Sequence, residues 1–342
     1  MLLFIMACTP SIATAGKEGQ KKSTPAPLIA LAHCRAGSDD PEPKPKRVEV
    51  LKGHGGKVRG LEFHPTEPLL FSCGDDAQLI CHDFDGVSKR TKAIREISRK
   101  KVGDKTVAIK FDASGRVLAA SGVTRWGNGF GAGLRIFIDG IEKPFVVGAP
   151  TEWNYTSCDV SPEGSYVVMG GTQNLLRVAS LLPKTNKKGN LEPSLIRKDA
   201  PGIPDSVRRV ACHPSKPVLA AGGKGGWIYT YEVTLDGLIR IPKLTEIHRA
   251  DHELRIMGLK FCPKGKHLVA CSQDGNIRVY STATGKKIKD WRPTKVTTHW
   301  LDIHPVYPWI VVGYSDGFAR IIDYQNKTVL SELKDQEDLL KP

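Results

Sequence analysis

Along residues 252–285 the apolar and polar positions fall into three short runs. Met257, Leu259 and Phe261 alternate with polar or small residues, the pattern of a half-buried strand, and the Pro-Lys-Gly turn at 263–265 ends that run. Residues 268–271 (Leu-Val-Ala-Cys) form a short apolar run, as a strand buried on both faces does. Asp274-Gly275 supplies the tolerance of positive φ that a tight hairpin needs, and Ile277 and Val279 resume the alternation in a third strand. The stretch predicts a β-meander.

The same pattern recurs. Residues 54–86 repeat it, with His54 answering His252, Phe63-His64-Pro65 answering Phe261-Cys262-Pro263, and Asp76 answering Asp274. Looser copies start near Val107, Thr156, Val207 and Thr298 and are anchored at Ala113, Pro162, Pro214 and Pro305. The six anchors, at 65, 113, 162, 214, 263 and 305, lie 48, 49, 52, 49 and 42 residues apart. That period fits a four-stranded propeller blade and is too long for a leucine-rich or helical-hairpin repeat. The expected fold is all-β: a β-propeller of four-stranded antiparallel blades, six by the count of repeats, with seven as the alternative.

These residues resemble the WD40 repeat family, over roughly residues 48–334. Gly53-His54 and Asp251-His252 fit the family's first element, and Asp76, Asp274-Gly275 and Asp316-Gly317 fit its turn. The Trp-Asp end is replaced by His82-Asp83, Ile138-Asp139, Tyr231-Glu232, Tyr280-Ser281 and Ile322-Asp323. The resemblance implies that His54 with Asp76, and His252 with Asp274, brace their blades by hydrogen bonds, and that only repeats 1 and 5 are so braced. It also implies a rim that receives peptides or partner loops. Two other propeller families enter through single features: Ser281 to Lys286 followed by Trp291 is similar to a quinoprotein blade signature, and the paired glycines at 170–171 and 222–223 are similar to kelch blades. A propeller enzyme of quinoprotein or lactonase type is therefore one alternative reading.

Composition fits a single soluble domain, since the 40% hydrophobic and 25% charged shares are ordinary and no run approaches the ~20 apolar residues of a membrane span. The expected organisation is a tail over residues 1–47, the propeller over 48–334 and a C-terminal tail over 335–342. Residues 1–15 carry a short apolar patch, a small-residue stretch at Ala13-Thr14-Ala15, and Cys8 in a context similar to a lipoprotein box, but no positive n-region. Residues 16–47 are polar and rich in proline, a composition that cannot fold alone and reads as a disordered tether. Residues 48–51 and 328–333 both read as outer strands, so both ends compete to complete the last blade.

Cys73, Cys81, Cys158, Cys212, Cys262 and Cys271 are scattered through predicted strands and read as reduced core thiols. A cytoplasmic location follows, with export or lipid anchoring through residues 1–15 as the alternative. No Cys-x-x-Cys occurs, so neither a metal nor any other cofactor is expected. The formal charge is +14, of which residues 1–57 contribute nine basic against five acidic side chains, leaving +10 on the propeller. The densest basic patch is Lys89, Arg90, Lys92, Arg95, Arg99, Lys100 and Lys101, on the predicted outer strand of the first blade and its loops. Such residues block edge pairing, or they meet an acidic partner or nucleic acid.

The candidate partner-binding face comes from a departure from the repeat. Residues 124–133 are inserted where the fifth repeat needs only Asp-Gly, and they bring Arg125, Trp126 and Phe130 to the same face as Trp153 and Tyr155. Arg59, Arg208, Arg209, Arg255, His299 and Trp300 occupy matching positions at the starts of other repeats and would ring the same mouth, a chemistry suited to an acidic peptide or phosphate groups. No nucleophile elbow, His-Glu-x-x-His helix or phosphate loop is present, so no catalytic residue is assigned. The expectation is a non-enzymatic scaffold for proteins or peptides, with a nucleic-acid-associated module as the first alternative.

Overall fold

The computed structural model of the chain describes residues 54–67, 69–83, 91–96, 105–123, 133–138, 145–148, 154–181, 183–185, 191–193, 197–200, 202–234, 237–240 and 255–334. Every regular element among them is a strand, and among the described residues no helix is long and apolar enough to cross a membrane. Six four-stranded antiparallel sheets follow one another along the chain, each a meander in which neighbouring strands are joined in order.

The first sheet is β1 (Val58–Phe63), β2 (Leu69–Gly74), β3 (Gln78–Asp83) and β4 (Thr91–Glu96), and the second is β5 (Lys105–Phe111), β6 (Val117–Val123), β7 (Gly133–Ile138) and β8 (Phe145–Gly148). In the third, β9 (Tyr155–Val160), β10 (Tyr166–Gly171) and β11 (Leu176–Ser180) are completed by β14 (Arg197–Asp199). A two-stranded ribbon, β12 (Pro183–Thr185) and β13 (Leu191–Pro193), intervenes in sequence. The fourth sheet runs β15 (Val207–Cys212), β16 (Val218–Gly223), β17 (Ile228–Thr234), β18 (Gly237–Arg240), and the fifth β19 (Ile256–Phe261), β20 (His267–Ser272), β21 (Ile277–Ser281), β22 (Lys287–Trp291). The sixth is β23 (Thr298–Ile303), β24 (Trp309–Tyr314), β25 (Phe318–Asp323) and β26 (Thr328–Lys334). The C-terminal segment therefore supplies the sixth sheet's outer strand, register Ile322↔Val329, while residues 48–51 lie outside the described residues.

The core is divided among the spaces between consecutive sheets. Phe71, Cys73 and Leu79 of the first sheet pack with Ile109 and Leu118 of the second, and Leu134 and Ile136 of the second pack with Val167 and Met169 of the third. Tyr166 and Val168, the alternate residues of β10, turn to Val207 and Leu219 of the fourth sheet. Ala211 and Ile228 meet Ile256 and Leu259, and Val269 and Ile277 meet Leu301 and Val312. Both faces of an inner sheet are thus buried, which is why β10 is buried at every position and shows no polar face. The first strands β1, β5, β9, β15, β19 and β23 contact one another in that order. Face-to-face stacking of four-stranded meanders is consistent with a WD40 propeller.

The turns do what the sequence asks of them. Gly275 holds φ 86° at the β20–β21 hairpin, a conformation open to glycine at no steric cost. The turns after β1 and β15 are also tied to the next sheet: His64 Nε2 lies 3.2 Å from the Gly115 carbonyl, and His213 Nε2 lies 3.1 Å from that of Gly265. The six described cysteines are free thiols; Cys73, Cys81, Cys158, Cys262 and Cys271 are buried in the core and Cys212 is half-buried. Burial pushes the Cys271 thiol up to about 12, so it behaves as a small hydrophobe.

Candidate functional site

Each first strand begins with a bulge, at Val58/Gly60, Thr106/Ala108, Tyr155/Ser157, Val207/Arg209, Ile256/Gly258 and Thr298/Trp300. The extra residue re-aims the side chains there, and Arg59, Arg208 and His299 sit at this matching position. Arg59 forms a two-pronged pair with Asp75, Nε to Oδ1 at 2.8 Å and Nη2 to Oδ2 at 2.9 Å, and is neutralised locally. Among the described residues Arg208 has no such partner. Burial, and then the charge of Arg255, push its guanidinium pKa down, and its Nε is buried without an acceptor.

One position on, Arg209 reaches across the fifth sheet. Arg209 Nε donates to the Met257 carbonyl at 2.7 Å while Nη1 donates to the Arg208 carbonyl at 2.9 Å. Its guanidinium then lies 5.4 Å from the ring centre of Trp300 on β23. Burial, with the adjacent Arg208 charge, lowers it to about 10, so it stays charged at neutral pH. The structure therefore brings together Arg208, Arg209, Arg255 and Trp300, with Arg255 exposed at the start of the fifth sheet.

Below this rim lies a feature that the sequence reading missed. The second-last residues of the first strands are Glu62, Lys110, Asp159, Ala211, Lys260 and Asp302, so five of six are ionisable. Lys110 pairs with Glu62, and Lys260 Nζ lies 3.0 Å from Asp302 Oδ1. Asp159 accepts from the backbone amides of Val160 at 3.0 Å and Cys212 at 2.8 Å. Burial pushes Glu62 up, opposed by Lys110 and Lys260 and assisted by Asp302. Residues of the first, second, fifth and sixth sheets thus act on one carboxyl. The signal was available, because these residues precede the repeat anchors at constant spacing; their burial was not.

The other expected residues divide as follows. Tyr155 is a correction: it is 0% exposed inside the core between the second and third sheets, because its first-strand position turns inward, and it is not on an aromatic face. Arg125, Trp126, Phe130, Trp153 and His252 lie outside the described residues, as do Lys89, Arg90, Arg99, Lys100 and Lys101; Lys92 and Arg95 stand on β4, opposite Cys81 and Leu79. The 124–133 insertion does separate β6 from β7.

Blade bracing is present in the first sheet as the resemblance implied. His54 Nδ1 donates to the Asp76 carboxylate at 2.9 Å, and Nε2 meets the Ser72 hydroxyl at 2.8 Å. It is not restricted to repeats 1 and 5. In the sixth sheet Arg320 donates to Asp316 at 2.9 Å and Glu332 at 2.6 Å, and in the fourth Trp227 Nε1 donates to Asp205 at 2.7 Å; within repeat 5 itself Asp274 accepts from Arg278 at 3.1 Å and from Ser272. In the fourth and sixth sheets the donors are tryptophan and arginine, so a motif written around His-Asp does not find them. Among the described residues no three His, Cys, Asp or Glu side chains group as a metal site.

Comparison with known proteins agrees with this geometry. The WD domain, G-beta repeat (WD40) model matches residues 45–83 and 244–281, the first and fifth repeats. WD repeat-containing protein 74 of Bos taurus is 28% identical over 120 residues, which cover 35% of this chain and 26% of that protein. A probable cytosolic iron-sulfur protein assembly protein, Ciao1, of Culex quinquefasciatus is 29% identical over 77 residues, 20% of this chain and 23% of its own length. Nuclear distribution protein PAC1-1 of Uncinocarpus reesii is 43% identical over 47 residues, 14% of this chain and 10% of that protein. The chain spans about a quarter or less of these relatives. Residues 45–83 and 244–281 are WD40 repeats by this match, and with its six four-stranded meanders the chain is similar to WD repeat-containing proteins.

Proposed function

We propose that the six sheets close into a six-bladed ring and that the chain is a non-enzymatic platform, which binds a protein or peptide of acidic character at the rim carrying Arg208, Arg255 and Trp300; Arg59, already neutralised by Asp75, stands outside that contact. WD repeat proteins are in general protein-interaction scaffolds, and the relatives above carry that expectation to this chain. Closure is supported by Asp302 of the last sheet acting on Glu62 of the first. Arg125, Trp126, Phe130 and Trp153 extend the same face in this reading.

The observation that carries the proposal is the clustering of Arg208, Arg209 and Arg255 at one end of adjacent sheets, with Arg209 over the Trp300 ring. Arginine and tryptophan at such a rim are typical anchor residues of an interface. Closely spaced like charges are unfavourable for the fold itself, which favours a role in binding over one in stability.

The test is a cross-linking pull-down from nuclease-treated lysate with the wild type, an Arg208→Glu/Arg255→Glu variant and a Trp126→Ala/Trp153→Ala variant. Partners lost with the charge reversal support the rim, and loss with the aromatic pair extends it over the insertion. Partners retained by both variants reject this face. Recovery that vanishes with nuclease alone, and that falls steeply with salt, turns the assignment to nucleic acid on the basic patch around Lys92 and Arg95.

A further inference from the structure

Three arginines elsewhere in the molecule, Arg278 and Arg320 buried and Arg59 exposed, show how this fold treats such a charge. Arg59 is gripped by Asp75, Arg278 by Asp274 and Asp290, and Arg320 by Asp316 and Glu332. Arg208 and Arg209 are treated differently. The partners of Arg209 are two backbone carbonyls and an indole ring, none of them negative. Arg208 carries a buried Nε–H with no acceptor, and among the described residues no carboxylate acts on either side chain. Trp300 likewise keeps a buried indole N–H without an acceptor. Arg255 adds a third positive charge close enough to Arg208 to repel it.

Desolvated cations that repel one another are unfavourable unless an anion joins them. The contrast with Arg59 is sharp, because it occupies the same position on β1 and the fold supplies it with Asp75. The strand register thus places cations at equivalent points and neutralises one of them from within.

We infer that Arg208, Arg209 and Arg255, with Trp300, form an oxyanion site that takes the phosphoryl group of a phosphorylated side chain on the partner; this deepens the proposed rim function and rests on it. Charge and valence favour phosphoryl over carboxylate. A phosphate monoester brings nearly two negative charges and three terminal oxygens at neutral pH, matching two guanidinium forks and further donors. One carboxylate brings a single charge and two oxygens, and would leave most of the local charge uncompensated. Arginine, being planar and permanently charged, is the residue suited to such bidentate capture.

The experiment is calorimetric titration of the full chain at fixed ionic strength with four probes: inorganic phosphate, acetate, the peptide acetyl-Gly-phosphoSer-Gly-amide, and its Glu counterpart. The proposal expects saturable binding of phosphate and the phosphopeptide, with the phosphopeptide about tenfold or more tighter than the Glu peptide. Arg208→Gln should weaken it about tenfold or more, whereas Arg59→Gln should change it less than about twofold. Arg208→Gln removes no side-chain hydrogen bond to any described residue, so its unfolding midpoint should match the wild type; Arg255→Gln, at an exposed residue, repeats the test independently.

Equal affinity for the phosphopeptide and Glu peptide overturns the assignment, and so does equal loss in Arg59→Gln, which would indicate diffuse electrostatics. No saturable binding of phosphate or phosphopeptide overturns it as well. The two readings fail separately: phosphopeptide binding lost in Arg208→Gln while the pull-down partners persist in the charge-reversal variant keeps the oxyanion site and rejects the docking rim. Partners lost in that pull-down without any phosphate binding do the reverse.

Discussion

Lys110→Met isolates the charge network below the rim. In the wild type, the Lys110 and Glu62 side chains are 12% and 19% exposed and form an ion pair, with Asp302 and Lys260 as the next charges. Removing the lysine leaves Glu62 largely buried, with like-charged Asp302 nearby and only Lys260 to oppose it. Breaking a buried pair from one side costs about 3–5 kcal/mol, whereas an exposed pair is worth about 0–1 kcal/mol. Urea unfolding followed by tryptophan fluorescence at pH 7 should therefore show a loss of about 3–5 kcal/mol. The double variant Lys110→Met/Glu62→Leu should recover most of it, because the orphaned charge is gone. The sign of the pH dependence is fixed by the structure. Burial, with Asp302, already raises Glu62 above its ordinary value, and loss of Lys110 raises it further. A carboxyl whose folded pKa exceeds its unfolded pKa binds more protons when folded, so the single variant regains stability as pH falls through that folded pKa. A cost below about 1 kcal/mol at pH 7, with no recovery in acid, would show that the pair is effectively solvated and refute the reasoning.

In the first sheet, His54→Ala removes the bonds to Asp76 and Ser72 and should cost about 1–3 kcal/mol, with faster amide exchange confined to residues 58–83; uniform exchange across the molecule would contradict a local brace. Gly265→Ala places a Cβ 2.3 Å from the His213 ring at a φ of 67°, and should lower stability by about 1–3 kcal/mol, partly relieved by adding His213→Ala. An unchanged midpoint would mean that the turn yields freely. At Asp274 and Asp316 burial acts upward, but hydrogen bonds from Ser272 and Arg278 in one case and Arg320 in the other outweigh it, and both carboxyls sit below the ordinary range. Stability from this source is present above about pH 4, the unfolded carboxylate value, and is lost as pH falls through the folded values. Asp274→Asn/Asp316→Asn should flatten acid unfolding below about pH 4, and an unchanged slope there would refute the role given to these two residues.

Much of this architecture is local and therefore legible in the chain. The alternation at Met257, Leu259 and Phe261, the Pro-turn anchors and Asp274-Gly275 each specify a piece of one meander, and their period specified six of them. The contest between residues 48–51 and 328–333 was different in kind, since both have the pattern of an outer strand. Pairing of β26 with β25 decided it for the sixth sheet.

Tertiary structure decided what the pattern could not encode. Tyr155 reads as a rim aromatic beside Trp153, yet the stacking of the second sheet on the third makes its position interior. Lys110 and Glu62 are 48 residues apart, and nothing in either repeat marks them as a pair. Likewise, Arg59 and Arg208 stand at equivalent repeat positions, and only folding gives one of them Asp75 and the other Arg255. The sequence by itself determined the repeat, the strands and the turn chemistry, because these depend on neighbours a few residues away. Which charges are cancelled and which stand uncompensated depended on which sheet faces which, and that is a property of the assembled fold.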